Sequence, residues 1–412
     1  LHQDNRVPLV AVNIWYHVGS GDETPGKSGF AHLFEHMLFQ GSKHVGEDKH
    51  FEVLKNIGAT GVNGTTNPDR TNYFEVVPSH QLETALWLES DRMGYLLPMV
   101  TKKSLDNQIE VVRNERRQRY DNVPYGKTRF VKASLLYPEG HPYRYLTIGK
   151  HSDLTSASLD DVVGFYKKWY PASNATLVIA GDFETAQVKK LVQKWFGSFP
   201  KQPKPARQQV KAPIITKAKR EKVEDKFAKL RRLEYVWPSP RYYGPGDAEL
   251  DLFANALAAN GVGRLYEILV HKKQWAQSVS AYQGSRQFSS EFTVSITLKP
   301  DADLAKVEKI VNRELDKLRK RPMKKAEFDR AVVAMEKGFI WNLESLSARA
   351  NMLQSYNHFV GDPGYISKDL DRWRKSSPAK IRKVAEKVLA PNRRIEVLTV
   401  PAKKTASKGG NR

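Results

Sequence analysis

Gly29-Phe30-Ala31-His32-Leu33-Phe34-Glu35-His36-Met37-Leu38-Phe39 is the stretch from which the rest of the chain can be read. As a helix it sets His32 and His36 about 40° apart around the axis, so both imidazoles face one point. Two neutral imidazoles presented this way are half of a tetrahedral zinc site. Glu35 stands beside His36, close enough to reach a water at the metal without being a ligand. Zinc lowers the pKa of such a water and polarises the carbonyl under attack. A nearby carboxylate takes the proton and passes it to the leaving amine. The bland alternative leaves both histidines on a mixed helix surface. Leu33, Phe34, Met37, Leu38 and Phe39 argue against it, because they bury the segment. Burying two imidazoles and a carboxylate without a partner costs several kcal/mol.

Working outward, a third protein ligand is needed, with the fourth position left for water. The chain has no cysteine, so the ligand must be His, Asp or Glu. Residues 105–120 read as an amphipathic helix with Leu105, Ile109 and Val112 on its apolar face, and they offer Glu110 and Glu115. A second helix is read over 82–93. Residues 58–66 and 71–77 flank Asn67-Pro68-Asp69-Arg70, which predicts a β-hairpin. Residues 159–169 read as a helix, followed by a Pro/Asn turn and an apolar strand over 175–180. The far end repeats this order, with a helix over 378–389, a Pro/Asn turn and a strand over 395–400. The repetition predicts two copies of one α+β unit. Between them, the stretch from Phe199 onward is basic and rich in proline, as a semi-extended connector is.

His-x-x-Glu-His is the inverted zincin motif. Together with Asn114-Glu115-Arg116-Arg117, Asn63 and Thr71-Asn72-Tyr73-Phe74, it resembles the pitrilysin, insulinase and mitochondrial processing peptidase family over almost the whole chain. The resemblance implies that Glu115, nearly 80 residues past His36, completes the ligand set of one zinc ion. It implies two-domain halves closing into a clam-shell chamber for small unfolded peptides. Substrate would add as a strand to an exposed sheet edge, for which Val62-Asn63-Gly64-Thr65 is the matching segment. Two departures stand out. Seven residues before the ligand Glu, the family often carries another Glu; here Gln108 stands there. An amide can still orient a histidine but brings no charge. The family also places an Arg and a Tyr, seven residues apart, to hold substrate carbonyls and the tetrahedral intermediate. Val270 and Gln277 stand at those positions, and Arg264 and Tyr282, though nearby, have the wrong spacing. Two copies of this chain would therefore lack the pair. The resemblance implies a hetero-oligomer with a homologous subunit that carries Arg and Tyr but no zinc.

The net charge of +22 suggests nucleic acid or an anionic membrane. Its distribution does not. Residues 201–232 hold 12 basic and 3 acidic residues, and more of the surplus lies in the tail. No helix carries an arginine stripe interleaved with stacking aromatics, so nucleic acid is not expected as a partner. No apolar run approaches the roughly 18 residues of a membrane span. The chain opens on Leu1 and leads at once into a strand-like run over 7–18, as if processed or trimmed. With the resemblance, that favours a periplasmic or secreted location.

These readings predict an α+β fold of two similar domains, each a mainly antiparallel sheet with helices on one face. Residues 1–200 form the zinc-bearing domain, 201–220 a basic linker, 221–400 a second homologous domain and 401–412 a disordered tail. The predicted function is a zinc-dependent endopeptidase subunit with Glu35 as the base and His32, His36 and Glu115 as ligands. Gln108 stands behind the ligands, and Asn63 and Gly64 line the substrate edge. The rival is a non-catalytic chamber or scaffold subunit.

Overall fold

The computed structural model describes residues 1–403, folded into two compact units of α+β architecture. Within the described residues, the first unit comprises 1–115, 140–210 and 335–372, and the second 116–139, 211–334 and 373–403. Among the described residues, no helix is long and apolar enough to cross a membrane.

The first sheet contains β1 (His2–Gln3), β2 (Leu9–Tyr16), β3 (Thr60–Thr66), β4 (Thr71–Pro78) and β5 (Ala175–Gly181), in the order β1-β5-β2-β4-β3. β1 runs parallel to β5; every other neighbouring pair is antiparallel. The second sheet contains β6 (Lys219–Asp225), β7 (Arg232–Ser239), β8 (Ala276–Gly284), β9 (Ser290–Leu298) and β10 (Ile395–Pro401), in the order β6-β10-β7-β9-β8. Here β6 is parallel to β10 and the rest is antiparallel. Strand for strand the two orders coincide, so the chain contains one topology twice. Pro401 ends β10; the tail expected beyond it lies, from residue 404, outside the described residues.

β2 shows why the first sheet sits in the middle of its unit. Its sequence, LVAVNIWY, is buried from Val10 to Tyr16 without alternation, the pattern of a strand covered on both faces. On one side, Val10, Val12 and Val77 pack with Leu82, Ala85 and Leu86 of α3 (Leu82–Tyr95), alongside Leu54 of α2 (Lys49–Asn56). The same side carries α1 (Phe30–Met37), which lies against β3 and β4. On the other side, Ala11, Val178 and Ala180 receive Leu346 and Ala350 of the helix Leu346–Phe359. The sequence reading placed helices on one face. The second cover comes from so far along the chain that no local pattern ties it to this sheet. The second unit does the reverse, taking the early helix Gly126–Leu136 against β6, β7 and β10, where the Thr128 and Thr399 hydroxyls meet at 2.7 Å.

Within the connector, Arg207 is fixed to the first unit. It donates to the carbonyl of His17 at 2.5 Å and to that of Asp69 at 2.9 Å.

Gln354 is the polar anchor of the late helix on the first sheet. Fully buried, its Nε2 donates to the strand carbonyls of Asn13 at 2.8 Å and Thr176 at 2.6 Å. Replacing it with leucine removes both bonds at nearly constant volume. Gln354→Leu should destabilise the protein by about 1–2 kcal/mol in a urea melt; an unchanged midpoint would show that apolar packing alone holds this helix.

Candidate metal centre

α1 is only eight residues long, too short to be stable by itself, so its surroundings must fix it. Gly29 opens it at φ 95, and a Cβ there would lie 3.0 Å from the Gly149 Cα, so only glycine fits. The buried Glu23 carboxylate accepts from the backbone N–H of Gly29 at 3.0 Å and of Ala31 at 2.9 Å. An anion there satisfies the free N–H groups and complements the helix dipole. Burial nevertheless pushes the Glu23 carboxyl well above the ordinary carboxylate range. One face of the helix packs through Phe34 against Phe165 and Tyr170, at ring-centroid distances of 5.4 and 5.2 Å.

That packing leaves His32 and His36 together, their rings 4.8 Å apart at 84°. α4 (Lys102–Arg116) brings Glu115 to them. Glu115 Oε2 lies 3.5 Å from His32 Nε2 and 3.3 Å from His36 Nε2. Two ligands each about 2.0–2.1 Å from a tetrahedral ion stand roughly 3.3–3.4 Å apart. These separations therefore match ligands sharing one zinc ion, and they exceed the roughly 2.7–2.9 Å of a direct charged hydrogen bond. Among the described residues, no other group of three His, Asp or Glu donors draws together in this way. Glu110, the other candidate on this helix, is instead paired with Arg113.

Glu35 is half-buried beside the cluster. Burial pushes its carboxyl above the ordinary range, opposed by a hydrogen bond from the Thr66 hydroxyl and by the neighbouring His36. Gly64 and Thr66 share the face of β3 turned toward α1, and Gly64 is what allows the approach. A Cβ at Gly64 would stand 3.1 Å from Glu35 Cγ and 2.9 Å from Phe39 Cε2. The hairpin tip that carries Thr66 is held from outside. Ser20 and Gly21 donate backbone N–H to the carbonyls of Asn67 and Pro68, and the Tyr143 hydroxyl bonds Asp69.

The other residues singled out from sequence fall into place unevenly. Gln108 is buried on α4, two turns before Glu115. Asn63 is exposed on β3, the terminal strand of its sheet, and its Oδ1 accepts from the Gly64 N–H at 2.9 Å. In the second unit Val270 is half-buried, while Gln277 is exposed on β8. Arg264 is engaged in a two-bond pair with Glu327, each bond 2.7 Å. Glu23 and Thr66 escaped the sequence reading. Thr66 could have been found from strand alternation two positions past Gly64, whereas the run Ser20-Gly21-Asp22-Glu23 offers no periodic signal.

Comparison with known proteins adds to this geometry. Residues 1–130 match the family described as insulinase (peptidase family M16), and residues 156–335 match the peptidase M16 inactive domain. The zinc protease PqqE of Helicobacter pylori is 28% identical over 378 residues, which cover 89% of this chain and 83% of that protein. A solved structure of a protease from Helicobacter pylori superposes with a TM-score of 0.90 at 26% identity, over 97% of this chain and 96% of that one. The insulin-degrading enzyme homolog of Dictyostelium discoideum is 28% identical over 171 residues, 41% of this chain and 17% of that longer protein.

The contact at Gly64 can be tested against a glycine with room around it. Gly64→Ala should cost about 1–3 kcal/mol, the range for overpacking. Gly164→Ala, inside the helix Leu159–Trp169 with nothing within 4 Å of the new Cβ, should be neutral or stabilising. Thermal melts of the two variants side by side check this; equal shifts would mean that β3 and α1 are not in tight contact.

Proposed function

The chain belongs to the insulinase family of peptidases, peptidase family M16, and on that premise we propose that it is the zinc-bearing subunit of an endopeptidase acting on small unfolded peptides. The observation that carries this reading is the convergence of His32, His36 and Glu115 at zinc-ligand separations, with Glu35 beside them. When bound there, zinc supplies Lewis acidity that activates a water and polarises the scissile carbonyl. Glu35 takes the water's proton and delivers it to the leaving nitrogen. Its half-buried position beside the ligands suits a group that must both accept and release a proton. Gln108, buried on the same helix two turns before Glu115, stands behind the ligand set without adding charge to it. An extended peptide adds to the open edge of β3 past Asn63 and Gly64, which positions its backbone against Glu35.

A non-catalytic role is disfavoured by the complete donor set. The reading predicts that Glu35→Gln keeps zinc while turnover falls by about 10²–10⁴, the range of general-base catalysis. His32→Ala, His36→Ala and Glu115→Gln should lose zinc instead. Metal content and fluorogenic-peptide hydrolysis, measured together, check both halves; near wild-type turnover by zinc-loaded Glu35→Gln would remove Glu35 from its role.

The chain also needs a partner in this reading. Neither Val270 nor Gln277 can replace an Arg and Tyr pair, and Arg264 is already committed to Glu327. The isolated chain should therefore be feeble even with one zinc bound. A homologous chain that carries the pair should raise turnover at least about 10²-fold, the cost of one lost oxyanion donor. Full activity of the isolated chain, unaffected by any homologous partner, would leave the partner requirement without support.

A further inference from the structure

Tyr73 lies between α1 and a cluster of buried charges. It is fully buried on β4, and its hydroxyl donates to the backbone carbonyls of Phe34 at 3.2 Å and Glu35 at 3.3 Å. The Glu35 carbonyl is where the helix runs out of regular bonds. Leu38 N–H still reaches Phe34 O at 3.0 Å, but Phe39 N–H turns to His36 O at 3.0 Å. The Tyr73 hydroxyl supplies the Glu35 carbonyl with a donor from outside the helix.

The ring of Tyr73 is held as firmly as its hydroxyl. The Arg92 guanidinium, itself buried, sits 4.2 Å from the ring centroid. Phe39 and Tyr16 meet the ring edge-on at 5.3 and 6.0 Å. Gly64 approaches so closely that a Cβ there would be 3.1 Å from Tyr73 Cε1. Arg92 is fixed in turn by Glu89 (Nε to Oε2, 2.9 Å), with Glu75 4.0 Å away. Two carboxylates and a guanidinium under one ring are a poor source of stability, since apolar side chains of equal volume often do as well. They are a good way of permitting a single ring position.

We propose that Tyr73 is a positioning residue for Glu35, its hydroxyl fixing the last turn of α1 and thereby the direction in which the Glu35 side chain leaves the helix. The inference rests on Glu35 being the base. Tyr73 is fully buried and stands outside the group of His32, His36 and Glu115. Its effect is geometric: a base misplaced by about 1 Å can lose up to about 10²-fold in rate while binding is untouched.

The experiment compares Tyr73→Phe, which removes only the hydroxyl, with wild type and Glu35→Gln. All are zinc-loaded, supplied with the partner chain if one is required, and assayed well below their melting temperatures. Tyr73→Phe should bind one zinc and keep KM within about twofold while kcat falls about tenfold or more. Hydrogen exchange of the α1 amides should quicken at least tenfold relative to those of β2 and β5. Exchange reads the grip on the helix without any turnover. An inactive wild type, or a fully active Glu35→Gln, therefore breaks the peptidase reading while the Tyr73 contact is still decided. Unchanged α1 exchange, a kcat within twofold of wild type, or loss of zinc in Tyr73→Phe would each overturn the proposal. The last would mean that Tyr73 serves the ligands rather than Glu35.

Discussion

The site depends on holding a two-turn helix at one rotation about its own axis. His32, Glu35 and His36 leave that helix within five residues, and Glu115 arrives from a different helix. A rotation of α1 by tens of degrees would separate the imidazoles from the Glu115 carboxylate and end the 3.3 and 3.5 Å spacings. No helix of eight residues fixes itself so well. Glu23 holds the first turn, the aromatic group around Phe34 sets the depth, and Gly64 lets β3 close in from the side. Each contact is unremarkable in energy. Together they leave the helix one position.

Much of the centre was legible because the chemistry of ligation needs residues in a fixed period. A spacing of four from His32 to His36 is a statement about helical geometry, so the motif announces both the helix and its face. The hairpin was legible for a similar reason: Asn67-Pro68-Asp69-Arg70 is turn chemistry, and β3 and β4 end and begin at its two sides. The repeated helix–turn–strand ending appears as β5 and β10, in the same place in two sheets of identical order.

What stayed hidden depends on tertiary proximity rather than on period. Glu23 caps a helix that begins seven residues later, through a loop with no regular pattern. Thr71-Asn72-Tyr73-Phe74 contributes to the family resemblance, but nothing in that run marks the carbonyls that the Tyr73 hydroxyl meets. Arg207 looks like one more charge in a basic connector, yet it bonds two carbonyls of the first unit. The late helix that covers the first sheet betrays itself only from the other side. β2 is apolar at consecutive positions, and such a strand demands a second cover that sequence alone could not locate.

The exchange of helices between the two stretches of chain has a consequence for synthesis. β5 completes the first sheet at residue 181, but the helix that covers the Ala11, Val178 and Ala180 face ends at Phe359. At about 5–20 residues per second, a ribosome takes roughly ten to thirty-five seconds to cross that interval. Throughout it the nascent first sheet has one apolar face without its native cover. The chain is thus exposed to misassembly and to chaperone capture during translation, even though the finished unit leaves that face buried.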